Sequence, residues 1–535
     1  MTPCATQAQP RRRTHEPGSP QHRRQLEGAP LPHVRGRPGR RPDRPGDPDD
    51  DGRLQRRQRP GPASRRVRLR HPGRRPVNHL ALKELLARYD RPGPRYTSYP
   101  TAVQFTERFD GDDYARHLAR ANAVDAPLSL YLHLPFCERR CLFCACNTIV
   151  SPRKQAVSSY LEELDEEIGM VAAHLPDRRQ VEQLHLGGGT PTYFAPHELA
   201  WLMERIRERF DVAEGAELSV EVDPRVTTPE HINTLVECGF TRLSIGVQDL
   251  DPTVQEAIAR VQSLEQIRDL MTLARARGIR SINVDLIYGL PHQTVETFRD
   301  TVEAVIALGA DRLAIYSFAY VPWIKGHQKK LDAATLPGRD LRFELQALAR
   351  CALTDAGYID IGMDHFARPD DELAVAQREG TLGRNFMGYT VSRAPDLIGF
   401  GISAIGYVQG AFVQNTRKLS TYRRALERGE MPVERGYALN GDDMIRQQVI
   451  QELMCNFCVD KTRTSATFSI DFDDYFADAL RQLEPEVEAG MITIDADALK
   501  VTPRGRLFIR NLAMAFDRYL KPREAQARPV YSQTV

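Results

Sequence analysis

The chain has 535 residues, 27% of them charged and 41% hydrophobic, with 73 basic and 71 acidic side chains. That length exceeds one ordinary domain and points to two or three. No stretch approaches the roughly 20 consecutive apolar residues that cross a bilayer and no secretory signal pattern precedes the folded part, so a soluble cytoplasmic protein with no membrane partner is expected.

Residues 1–80 hold 20 Arg, no Lys, 7 acidic residues, 14 Pro, 8 Gly and no aromatic residue, whereas the remaining 455 hold 53 basic and 64 acidic residues. A segment so poor in apolar side chains cannot offset the entropy of ordering, and disorder is expected. An arginine-rich tail could bind nucleic acid or an anionic surface, and its Arg and Ser content is faintly that of a transit peptide, but amphipathic periodicity is lacking. The reading is a non-functional extension with no nucleic-acid partner.

From residue 128 onward short apolar runs alternate with longer amphipathic stretches, the pattern of strand–helix units around a parallel sheet in an α/β fold. Six strands are expected near 128–134, 181–186, 218–222, 242–247, 281–287 and 312–318, with helices over 160–174, 199–210, 264–277 and 295–308. Six units cannot close the usual eight-stranded barrel, and this part should end near residue 330. Beyond it, 340–357 reads as a helix. The region from Thr421 onward reads as mostly helical with a hairpin at 492–501, giving a mainly α-helical C-terminal domain over 331–535.

The chemistry concentrates in Cys-Glu-Arg-Arg-Cys-Leu-Phe-Cys-Ala-Cys at 137–146. Cys137, Cys141 and Cys144 form a CxxxCxxC run, and three such thiolates can hold three irons of a cubane cluster, leaving the fourth open to a small molecule. The competing reading is a closed four-ligand zinc site, for which Cys455 and Cys458 could supply a second pair. The run follows a strand ending at Pro135, where loops at strand carboxyl ends carry the chemistry of such barrels. Gly187-Gly188-Gly189 after the second strand could let backbone approach a ligand. Glu221 and Asp223 share a face at the end of the third strand. Gln248, Asp285 and Ala319 lie at or near the ends of the fourth, fifth and sixth. Cys4, Cys238 and Cys351 are given no role. Nine cysteines, four of them in one loop, do not read as a disulfide framework.

The cysteine run resembles the signature of radical S-adenosylmethionine (SAM) enzymes. With Cys146 it becomes CxxxCxFCxC, which resembles the oxygen-independent coproporphyrinogen III oxidases. The likeness extends to Gly93-Pro-Arg-Tyr-Thr-Ser-Tyr-Pro-Thr-Ala102 and Gly362-Met-Asp-His-Phe-Ala-Arg-Pro-Asp-Asp-Glu372 and covers roughly residues 85–525. It implies a family-specific segment over 81–127, an open partial (β/α)6 radical SAM barrel over 128–330, and a C-terminal domain closing the substrate site. It further implies a 4Fe-4S cluster ligated by Cys137, Cys141 and Cys144, with SAM on the open iron and two SAM molecules in all. The positions lining the SAM sites would be Tyr131, Phe143, Gly188, Gly189, Thr190, Glu221, Gln248, Arg260, Asp285, Ala319 and Ile405. Cys146 would be needed for activity without ligating the cluster.

The implied reaction converts two propionates of coproporphyrinogen III to vinyl groups, giving protoporphyrinogen IX without oxygen, by a 5′-deoxyadenosyl radical from SAM. The implied enzyme is a monomer served by a low-potential electron donor of the flavodoxin type. Arg95, Arg368 and Arg384, with His365 near them, are candidates for the substrate carboxylates. The alternative within the same fold is a haem-binding chaperone, whose members typically lack Cys146 and the Gly-Pro-Arg-Tyr-Thr-Ser-Tyr-Pro segment. Ala145, where the family commonly has glycine, and the extra Cys458 are departures from the pattern.

Overall fold

The computed structural model describes residues 88–152, 154–392 and 394–520; the expected extension over 1–80 lies outside the described residues. Six parallel strands form its centre: β1 (Leu128–Leu134), β2 (Gln180–Gly188), β3 (Asp211–Val222), β4 (Arg242–Gln248), β5 (Ser281–Tyr288) and β6 (Arg312–Ser317). Their alternation separates two faces. Leu128, Leu130, Leu132 and Leu134 are fully buried, which at roughly 1.5–3 kcal/mol per side chain makes β1 a stable centre for the sheet. The other face of the same strands is polar and hydrogen-bonded from strand to strand. Ser129 Oγ donates to Gln183 Oε1 at 3.1 Å, Gln183 Nε2 to Glu217 Oε1 at 3.0 Å, and Asn283 Nδ2 to Ser244 Oγ at 2.9 Å.

Helices Lys154–Ala173, Pro196–Arg209, Pro229–Glu237, Leu264–Ala276 and Val295–Leu308 alternate with the strands. Their starts are written locally. Thr228, Ser263 and Thr294 each accept a hydrogen bond from the backbone amide three residues on, and proline occupies the first turn of the helices at Pro196 and Pro229. Apolar residues such as Leu164, Ile168, Leu202, Ile206, Ile267 and Val302 are buried in the core shared with the strands.

The sheet does not end at residue 330. β7 (Ile359–Gly362), β8 (His365–Ala367), β9 (Asp396–Phe400), β10 (Ile405–Val408), β11 (Ala411–Asn415) and β12 (Val433–Ala438) extend it to twelve strands in the order β12-β11-β10-β9-β1-β2-β3-β4-β5-β6-β8-β7. β9 is a seventh parallel strand, with Asp396 opposite Leu128, and the outer strands on both sides are antiparallel. An open barrel leaves its first and last strands with unpaired edges, and these short strands cover them. The expectation of a mainly helical segment from 331 is therefore corrected: residues 359–438 contribute largely to the sheet. The helical part follows, from Gly441–Asn456 to Ile509–Met514, around a three-stranded sheet that includes the expected hairpin, Ile492–Ile494 and Ala498–Val501.

A second core holds this helical part together, and Tyr89, Tyr96 and Tyr99 are buried in it. Arg510 donates to the carbonyls of Gly93 and Pro94, and Tyr96 Oη to Asp517 Oδ2 at 3.0 Å. The helix Gly111–Asn122 instead buries Tyr114 and Leu118 in the main core. The expected segment 81–127 is thus divided between the two cores where it is described. No helix among the described residues is long and apolar enough to cross a membrane.

Candidate active site

Strand β1 ends at Leu134 and delivers Cys137 through a two-residue strand, Phe136–Cys137, paired with Ile149–Val150 at the loop's base. Between them the loop is pinned from several sides. Leu142 N donates to Ile258 O at 2.9 Å, and Cys144 N to Cys141 O at 3.2 Å closes a turn. From the helical turn Gly326–Lys330, His327 Nε2 lies 2.8 Å from Cys144 O, and Lys325 Nζ donates to Cys146 O at 3.1 Å. Gln328 Nε2 donates to both Phe143 O and Ala319 O, each at 3.1 Å. The loop is thereby fixed to the carboxyl ends of β1, β4 and β6, although its thiols belong to one short stretch.

The thiols themselves meet hydrogen-bond donors. Thr190 Oγ1 is 3.4 Å from Cys137 Sγ; Arg225 Nη2 and Arg260 Nη1 are 3.4 and 3.6 Å from Cys141 Sγ. Both guanidiniums also bind Asp223, at 2.7 and 2.9 Å to Oδ2. Burial raises the Cys137 thiol to about 11. Cys144 and Cys146 share a hydrogen bond that lowers Cys144 to about 6 and raises Cys146 well above the usual thiol range. Two arginines on one buried sulfur suit a thiolate, and more so a sulfur of an anionic iron–sulfur cluster. The donors at Cys141 therefore suit the anionic sulfur that such a group would place there. Cys455 is buried in the C-terminal core and Cys458 begins the strand Cys458–Asp460, paired with Lys500. Neither is on the rim that holds the loop.

Around this loop the structure gathers most of the expected SAM-lining residues. Tyr131 projects from β1 into the polar face, its Oη 2.9 Å from His133 Nδ1 and its ring stacked on His185 at 6.0 Å. Glu221 Oε2 accepts from Gly188 N at 3.1 Å, and its other oxygen lies 3.6 Å from His185 Nε2. Burial opposes the charge on Glu221, but His185 and the Gly188 amide hold its carboxyl below the ordinary range. Asp285 accepts from Asn283 Nδ2 at 2.8 Å and Ser244 Oγ at 3.2 Å, and burial raises it to about 6. Gln248 ends β4 with φ +69°, and a Cβ on Gly246 would come within 2.8 Å of its amide and 3.0 Å of the Arg260 guanidinium. That glycine is what lets both side chains close on the rim. Ile405 arrives from β10. It approaches through Gly399, which is in register with Tyr131 and where a Cβ would lie 2.9 Å from the Ile405 carbonyl carbon.

The glycine run also has a structural job at the root of the cysteine loop. A Cβ on Gly188 would meet the His133 ring at 2.7 Å, and one on Gly189 the Pro135 carbonyl at 2.5 Å. Gly189 N donates to Leu134 O and Thr190 N to Phe136 O, both at 2.9 Å. The missing side chains admit the root of the cysteine loop.

The expected carboxylate-binding cations separate. Arg95 pairs with Asp364 at the rim. Arg384 donates to Arg95 O at 2.8 Å and lies 5.3 Å over the Tyr389 ring, holding the segment before β1. His365 is not a cation at neutral pH. Its ring sits edge-on between Tyr316 and Tyr389, and burial lowers it to about 4. Arg368 is on the wrong rim: its amide donates to Asp311 O just before β6, and its side chain is 51% exposed. The sequence reading missed Arg225, Lys325, His327 and Gln328. Arg225 could have been flagged by its place two residues after Asp223, but the other three meet the loop only through the fold.

Comparison with known proteins agrees with this geometry. The Radical SAM superfamily model matches residues 131–305, and the HemN C-terminal domain model matches 439–508. The chain is 43% identical over 447 residues to the oxygen-independent coproporphyrinogen III oxidase of Synechocystis sp., covering 83% of this chain and 96% of that one. With the Escherichia coli enzyme of the same name it is 44% identical over 437 residues, covering 82% and 95%. The solved structure described as coproporphyrinogen III oxidase (HemN) from Escherichia coli, a radical SAM enzyme, superposes with a TM-score of 0.78 at 43% identity. That superposition covers 82% of this chain and 99% of the other. The zinc and haem-carrier readings are not favoured by these relatives. With its four-cysteine loop seated on the carboxyl rim of a partial barrel, the chain belongs to the oxygen-independent coproporphyrinogen III oxidase family of radical SAM enzymes.

Proposed function

We infer that the protein decarboxylates two propionate side chains of coproporphyrinogen III to vinyl groups, giving protoporphyrinogen IX. The observation that carries this is the Cys137, Cys141, Cys144 and Cys146 loop on the rim of a barrel with a polar lining, in a chain 44% identical to a named oxidase over nearly its full length. Each reacting arm loses a hydrogen atom from the carbon β to its carboxylate, then carbon dioxide and one electron, the electron passing to an external acceptor.

Cys137, Cys141 and Cys144 would hold the 4Fe-4S cluster, with Arg225 and Arg260 balancing its charge at Cys141. When bound, cluster and SAM supply the one-electron chemistry that starts hydrogen abstraction. The chain's own residues bind and orient. Glu221, Gln248 and Asp285 offer oxygens to the hydroxyls and ammonium of SAM, the backbone of Gly188, Gly189 and Thr190 frames its methionine end, and Tyr131, Phe143, Ala319 and Ile405 close around its less polar parts. Arg260 fixes the Asp223 side of the rim. Cys146, exposed beside Cys144, acts without ligating the cluster. Two SAM molecules, a low-potential donor of the flavodoxin type, a monomeric state and a cytoplasmic location belong to the same reading. So does an arrangement in which the helical part closes the substrate site.

Anaerobic turnover of iron- and sulfide-reconstituted protein with SAM, a reductant and coproporphyrinogen III tests it. Protoporphyrin, read after oxidation, is expected from wild type and not from Cys146→Ser. 5′-Deoxyadenosine without protoporphyrin, with haem retained on the protein, would overturn it.

A further inference from the structure

A cavity of about 240 Å³ opens where the carboxyl ends of β5 and β6 face the helical part, and five arginines line it: Arg95, Arg342, Arg350, Arg506 and Arg510. Asp364 is the one carboxylate in its wall. Arg95 pairs with Asp364, and Arg350 with Asp360 behind the wall. Arg342 and Arg506 are placed differently. Arg342 donates to Ser317 Oγ at 2.5 Å and Phe318 O at 3.2 Å, and lies against Gly289, where φ is +87° and a Cβ would be 3.2 Å from its Nε. Arg506 stacks over the Phe457 ring at 4.2 Å. Among the described residues neither is within ion-pair distance of a carboxylate. Burial and the neighbouring Arg95 draw Arg510 down to about 9.

Clustered, partly buried guanidiniums are costly unless an anion joins them, and their planar forks match carboxylates in bidentate geometry. The cavity is smaller than the roughly 300–1,000 Å³ that encloses a drug-sized ligand, so it suits the arms of a larger molecule whose body stays outside. It also adjoins the cysteine loop. Ala319 lines it, and Gln328 ties Ala319 to Phe143.

We propose that this cavity receives carboxylate arms of the tetrapyrrole substrate, with Arg342 and Arg506 as the bidentate partners and Arg95 and Arg350 as the fixed walls. The assignment rests on the proposed function and names the recognition site for it. The nonreacting propionates are the arms it holds, leaving the reacting arms toward the loop. The carboxylate of SAM has the same chemistry, so the test must separate the two.

Arg342→Gln and Arg506→Gln are compared with wild type in anaerobic kinetics and in equilibrium binding of coproporphyrin III, with four carboxylates, and mesoporphyrin IX, with two. Circular dichroism melts check that the variants fold. The expected result is a KM for coproporphyrinogen III at least tenfold higher in each variant, an unchanged KM for SAM, and weaker binding of both porphyrins, since mesoporphyrin IX keeps the two nonreacting propionates. Arg342→Lys should recover part of the loss. Wild-type substrate KM and wild-type affinity for both porphyrins in both glutamine variants would overturn the proposal. A rise in the SAM KM alone would overturn it in favour of the SAM carboxylate. If arginine-dependent porphyrin binding is found but wild type makes no protoporphyrin, the cavity assignment stands and the proposed reaction falls.

Discussion

The two ends of the parallel strands satisfy their charges in different ways. At the amino ends the cations of β4 and β6 are matched within the chain. Arg242 at the start of β4 pairs with Glu217 and Glu372, and Arg312 at the start of β6 with Asp371 and Glu372. Arg178 is the fullest case: it binds Asp396 and donates to the carbonyls of Ala121, Ala126 and Pro127 at 2.7–3.1 Å. At the carboxyl ends the polar groups converge on shared space. Arg225 and Arg260 crowd one sulfur, Arg260 Nε is buried without a hydrogen-bond partner among the described residues, Asp285 is held up to about 6, and Arg342 and Arg506 face a cavity. Groups matched inside the chain hold the fold, whereas groups left to meet something else mark the site.

Substitutions at the two ends should separate these roles. The largest effect is expected from Cys137→Ala, Cys141→Ala or Cys144→Ala: turnover below detection and no brown chromophore after reconstitution, with helix content by circular dichroism unchanged. Next, Arg178→Met should cost about 3–5 kcal/mol, since it leaves the buried Asp396 uncompensated. Denaturant unfolding would show this loss, while turnover per folded molecule stays at the wild-type value. A fall in turnover without a fall in stability would break the comparison.

Asp285 links the carboxyl rim to pH. Its folded value, about 6, is raised from 3.8 by burial. The carboxyl is therefore charged at pH 7.5 and mostly neutral at pH 5, and the KM for SAM should rise about tenfold over that interval, roughly 1.4 kcal/mol. The sign for stability is opposite. A raised pKa means that the contribution of this group is fully present below about pH 4 and lost as pH rises through 6. Asp285→Asn should flatten the KM profile and melt higher than wild type at pH 7.5, a difference that vanishes near pH 4. A KM profile unchanged by the substitution would remove Asp285 from SAM binding. The smallest effect is expected at Arg368→Gln on the amino rim, within about 0.5 kcal/mol in stability and with no change in turnover.

The sequence made the local parts of this picture legible. The six central strands stand out because each is a compact apolar or alternating run bounded by turn residues, and the cysteine loop because its spacing has few other uses. The strands of 359–438 were hidden: β9 has five residues, contains Gly399, and buries every position, so it has no period to read. The polar barrel face was partly visible in Ser129, Tyr131 and His133 alternating with leucines. What could not be read was partnership across the fold. Gln328 reaches Phe143 over 185 positions, and the direction of the Arg368 side chain depends on which rim β8 brings it to.

The most direct test of the account is to follow the hydrogen itself, using coproporphyrinogen III deuterated at the propionate carbon β to the carboxylate in anaerobic turnover. The account predicts deuterium in the 5′-deoxyadenosine formed and one vinyl group for each labelled arm that reacts. Protoporphyrin formed with no deuterium in 5′-deoxyadenosine would contradict it.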